Sequence, residues 1–112
     1  MKFLMTYESS TQAPPTPEQM AAIGKFTAEM IQAGVVVMTG GLQRPSRATH
    51  LKVAGGKLTV TDGPFAETKE LIDGFALIEV ADRDEALKMA ERFMQVAGDG
   101  EGEVLQVYEF GR

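Results

Sequence analysis

Three stretches of this chain read as β-strands with large apolar side chains at both parities: Val35-Val-Val-Met38, Phe75-Ala-Leu-Ile-Glu-Val80 and Glu103 to Phe110. Successive side chains of a strand point to opposite faces, so a sheet built from these segments is apolar on two sides. Only two segments carry apolar residues at helical spacing, and two helices cover only one face of a sheet. Leaving the other face in water would expose an apolar patch well beyond the ~300–600 Å² usual for a monomer. The pattern therefore predicts a second subunit packed sheet to sheet, most simply as a two-fold homodimer.

The elements follow in order. Residues 2–8 alternate, with Phe3, Met5 and Tyr7 on one side and Leu4 and Thr6 on the other. After a polar, proline-bearing loop, Thr16 is placed to cap a helix, with Pro17 at its first position and Gln19 completing a capping box. Met20, Ile23, Phe26, Met30 and Ile31 form the apolar stripe of that helix, which spans Pro17 to Ala33 and stops at Gly34. The strand at 35–38 runs on to Gly40-Gly41. Residues 47–54 and 57–62 alternate around Gly55-Gly56 and predict a β-hairpin with a two-residue turn. A strand at 75–80 leads to a second helix, capped by Asp82 with Glu85 as its partner and lined by Ala86, Met89, Ala90 and Phe93. Gly98-Asp-Gly-Glu-Gly102 reads as a flexible loop, and Glu103 to Phe110 as the last strand. The order β-α-β, hairpin, β-α-β predicts an α+β domain of the ferredoxin-like, split β-α-β kind with an inserted hairpin. At 112 residues it forms a single domain, residues 1–112.

The remaining composition narrows the function. There are 16 acidic against 11 basic side chains, a net charge of −5, which disfavours direct nucleic-acid binding. No apolar run approaches the length of a membrane span, and the first residues lack the apolar core of a secretory signal, so a cytoplasmic protein is expected. The chain has no cysteine and one histidine, which removes thiolate chemistry and gives no ligand pattern for a metal. No GxGxxG, Walker or nucleophile-elbow pattern occurs, so no cofactor is expected.

The run Val60-Thr-Asp-Gly-Pro-Phe-Ala-Glu-Thr-Lys-Glu70 concentrates turn chemistry and charge between two strands. Asp62 shares parity with Leu58 and Val60 and is the candidate general base; the competing reading is a carboxylate bonded to its own turn. Glu67, Thr68 and Lys69 could clamp a small acidic or polar ligand, or simply form a solvated helical turn. His50, the one side chain that titrates near neutrality unperturbed, and Arg47 are further candidates beside that cleft. For both, a solvated surface position is the competing reading.

The stretch Asp62-Gly-Pro-Phe-Ala-Glu-Thr-Lys-Glu70 resembles the hallmark of the DGPF branch of YCII-related proteins. Ala33-Gly34-Val35, Gly40-Gly41-Leu42, Asp73 to Ile78 and Asp84-Glu85-Ala86 extend the resemblance over most of the chain. It implies a ferredoxin-like subunit that pairs into a dimeric α+β barrel. It also implies a small-molecule-binding or accessory regulatory domain, with a functional link to an extracytoplasmic-function sigma factor. Some relatives imply another class, a cofactor-free isomerase or dehydrochlorinase, in which Asp62 would transfer the proton. The wider superfamily's suggested His–Asp pair has its histidine near the first helix, and Pro17 to Ala33 contains none. A third reading is a structural dimerisation module.

Overall fold

The computed structural model describes residues 1–10, 15–42, 49–62 and 73–110. Strand β1 (Lys2–Ser9) is followed by helix α1 (Pro17–Gln32), β2 (Val36–Gly41), the hairpin β3 (Thr49–Ala54) and β4 (Lys57–Asp62), β5 (Gly74–Glu79), helix α2 (Arg83–Ala97), β6 (Gly100–Glu101) and β7 (Val104–Val107). In the main sheet β2 pairs with β5, β5 with β1, and β1 with both β6 and β7, always antiparallel. The hairpin is a separate two-stranded sheet. This α+β architecture, with its mostly antiparallel sheet and two helices, agrees with the ferredoxin-like expectation.

Local chemistry explains the helix boundaries. The Thr16 Oγ1 accepts from the Gln19 amide at 3.1 Å, and the Gln19 Oε1 accepts from the Thr16 amide at 2.9 Å, the reciprocal box expected. At the other end Gly34 adopts φ 77°. Its amide donates to Ile31, and the Val35 amide to Met30, both at 3.0 Å, which closes a Schellman motif. Replacing Thr16 by Ala is expected to cost about 1 kcal/mol in chemical denaturation. At α2 the Asp82 carboxylate accepts from the Glu85 amide at 2.9 Å. The Glu85 side chain, however, reaches one residue further back, to the Ala81 amide at 3.0 Å.

Register sorts the side chains. Phe3 faces Ile78 and Met5 faces Ala76 across β1 and β5, and these residues meet the helices. Phe3, Met5, Met30, Ile78, Ala86 and Met89 form the buried core, with Phe26 and Phe93 packed against it. The opposite parity sets Leu4 beside both Leu77 and Leu105, with Met38 beyond Leu77. No described helix lies over this rear face. Met38 and Leu105 remain exposed, and Leu4 and Leu77 are only half-buried. The two-sided apolar sheet read from the sequence is therefore present in the fold.

The last strand departs from expectation. Gly98 to Gly102 does not form a loop along its whole length: Glu8 pairs with Glu101 and Ser9 with Gly100, in the same register that continues from Met5 with Val104 to Lys2 with Val107. Pairing with β1 ends at Lys2 with Val107. Tyr108 and Phe110, expected in the strand, are exposed instead.

Candidate functional site

Helix α1 meets the sheet closely at its C-terminal end, where Met30 is buried, whereas Met20 near its start is exposed. The space left between α1, the helix-facing side of β1, β2 and β5, and the end of α2 is a cavity of about 890 Å³. That volume lies within the ~300–1,000 Å³ of small-molecule sites. Its walls are mainly apolar, with Met5, Ile23, Phe26, Ala76 and Phe93 among them, and Gly24 of α1 opens onto it.

Polar groups gather at one end. The Tyr7 ring stands edge-on to Phe93, centroids 5.4 Å apart. Its hydroxyl points into a fork of two carbonyl oxygens, those of Gly98 and Asp99, each at 3.1 Å. Burial pushes the Tyr7 phenol above its ordinary value of 10.0; the Asp73 and Asp99 carboxylates add to the rise, and a hydrogen bond with Ser9 opposes it. Because the folded value is raised, this contribution to stability is fully present below pH 10 and is lost as pH climbs through the folded value. Alkaline unfolding of Tyr7→Phe is accordingly expected to be less pH-dependent in that window than that of the wild type. Below it, the lost hydrogen bonds cost about 0.5–1.5 kcal/mol.

Asp73 forms the other side of this end. Its Oδ2 accepts from the Ser9 amide at 2.7 Å, while its own amide donates to the Tyr7 carbonyl at 2.8 Å. One carboxylate thus ties the end of β1 to the start of β5. Asp73 and Asp99 both line the cavity, and no lysine or arginine is among its described walls.

The anticipated residues lie elsewhere. Asp62 keeps the parity expected, sharing a face with Val60, but sits at the end of the exposed hairpin, where its Oδ1 accepts from the Thr49 hydroxyl at 2.8 Å. It does not line the cavity. His50 is on the other face of the hairpin, opposite Thr61, and is exposed. Arg47, Glu67, Thr68 and Lys69 lie outside the described residues. Among the described residues no three His, Asp or Glu side chains come together as a metal site would require. Nor is any described helix long and apolar enough to cross a membrane.

Sequence reasoning missed Tyr7 and Asp73. The available signal was parity: Tyr7 is the polar end of the Phe3, Met5, Tyr7 row, and Asp73 immediately precedes the Gly74 that pairs with it. A hydroxyl ending a core-facing row marks a place where the core gives way to something polar.

Together these residues define a small α+β domain in which an apolar cavity, with carboxylates and a phenol at one end, separates a helix from an antiparallel sheet. The chain belongs to the family of the YCII-related domain, whose model matches residues 1–111. Over 60 residues it is 43% identical to a protein of Rhizobium meliloti (strain 1021) described only as uncharacterized. The match covers 54% of this chain and 48% of that protein, so it spans about half the relative's length.

Proposed function

We propose that this chain is a small-molecule-binding domain of the YCII-related type, working as a homodimer joined through the rear face of its sheet in a dimeric α+β barrel. The cavity beneath α1 is the observation that carries the binding reading. Its apolar walls favour a compact hydrophobic molecule. Its polar end, lined by Tyr7, Asp73 and Asp99, supplies groups that can orient such a molecule. Such a domain would act as an accessory or regulatory module, its ligand bridging α1 and the sheet. The catalytic alternative through Asp62 has less support, because that carboxylate is exposed on the hairpin and bonded to Thr49.

Gly24 provides the test. A Cβ added there meets no atom within 4 Å, and Ala is favoured over Gly within a helix by about 0.5–1 kcal/mol. Gly24→Leu is expected to preserve the fold while filling the cavity. Calorimetric titration with a graded series of cyclic alcohols, amines and carboxylates should show at least one class binding the wild type. Binding to Gly24→Leu should fall at least about tenfold, a loss of ~1.4 kcal/mol. Equal binding by the folded variant, or no binding by any member of the series, would reject the cavity as the site.

A further inference from the structure

Hairpin β3–β4 has two unlike faces. Register pairs Leu51 with Val60 and Val53 with Leu58, placing all four aliphatic side chains on one face. The other face carries His50, Lys52, Lys57, Thr59 and Thr61. All four aliphatic residues are exposed, Val53 by 68%. An isolated two-stranded hairpin is marginal in water, and a bare aliphatic face gives it nothing to pack on. This is an amphipathic element awaiting its cover.

The size of the exposed surface indicates what covers it. The chain exposes 8351 Å², whereas a compact monomer of its mass would expose about 6,000 Å². Its radius of gyration is 16.0 Å, against about 13 Å for a compact domain of this length. The surplus of roughly 2,300 Å² per chain far exceeds the ~800 Å² that each partner contributes to a standard interface. It falls instead in the range of obligate homodimers, whose interfaces are the more hydrophobic class.

We propose that the Leu51, Val53, Leu58 and Val60 face of the hairpin is a second dimer contact, an arm that each subunit lays against a second copy of this chain. The inference rests on the homodimer proposed above and adds to it: the sheet faces pair, and the arms clasp. A two-fold axis then uses each arm once on either side.

Adjacent cross-strand pairs supply a matched test by analytical ultracentrifugation over a dilution series. The double substitution Leu51→Ser with Val60→Ser should raise the dimer dissociation constant at least about 100-fold. Lys52→Ser with Thr59→Ser, one register position away on the polar face, should change it less than about threefold. Hydrogen exchange on the undisturbed wild type gives a second readout, independent of variant folding. Amide protection across 49–62 should fall as the protein is diluted through its dissociation midpoint. A Leu51→Ser, Val60→Ser variant that dimerises as strongly as a dimeric wild type overturns the arm and leaves the sheet pairing standing, as would hairpin protection indifferent to dilution. A wild type that stays monomeric at all concentrations overturns both. Should the variant lose thermal stability equally at every concentration while keeping the wild-type dissociation constant, the arm packs on its own chain and the proposal fails.

Discussion

Alanine at Gly102 is expected to lower stability by at least about 3 kcal/mol, among the largest effects of any single methyl group in the molecule. A Cβ at that position would lie nearer the Thr6 carbonyl oxygen than the 3.0 Å that real Cβ atoms keep, and at Gly100 it would collide with the Glu8 carbonyl and the Tyr7 ring. The obstacles at Gly102 are backbone, so no side-chain rotation relieves them. Thr6 is held there from both sides: its amide donates to the Glu103 carbonyl at 2.9 Å, and its hydroxyl accepts from the Glu103 amide at 3.0 Å. Substituting Gly102 must therefore separate β1 from the last strand or deform both. A loss of this size should drop the melting temperature by more than about 12 °C for a domain of this length. Gly24→Ala, in open space, is the control and should melt no lower than the wild type. If Gly102→Ala melts within 3 °C of the wild type, the close approach is wrong.

The second large effect separates two neighbours on β5. Ile78 is fully buried and faces Phe3 beneath the helices, while Leu77 points from the rear face. Ile78→Ala removes core volume that three surrounding methionines, Met5, Met30 and Met89, can only partly refill; about 2–5 kcal/mol should be lost. That loss belongs to the subunit and should lower the melting temperature by a similar amount at every protein concentration. Leu77→Ser should act differently. With the sheet faces paired, wild-type melting rises with concentration, and this variant should flatten that dependence. Were Ile78→Ala nearly neutral, or Leu77→Ser the more damaging at high dilution, the assignment of the two faces would be reversed.

Much of this arrangement was legible because it is local. Thr16, Pro17 and Gln19 mark a helix start whatever lies around them, since the bonds they make span three residues. Gly55-Gly56 announces a hairpin because both residues of its turn need positive φ, observed at 58° and 78°. Misreadings arose where a residue's meaning depended on a distant strand. Gly98 to Gly102 has the composition of a flexible loop, and only the proximity of β1 shows that Gly100 and Gly102 are small to admit another backbone and the Tyr7 ring. Likewise Asp62 has the chemistry of a base and the expected parity, yet the hairpin carrying it forms its own sheet. The carboxylates beside the cavity are those of Asp73 and Asp99.

The sequence by itself determined the helices, the alternation along each strand and hence a sheet apolar on two sides, because periodicity and capping are written into neighbours within a few residues. Tertiary structure alone decided how far α1 stands from the sheet and which polar groups meet at the resulting cavity. It also decided where the hairpin's aliphatic face is left bare. Those outcomes depend on volumes and register summed over elements far apart in the chain, such as Tyr7 reaching Gly98, and no local pattern carries that sum.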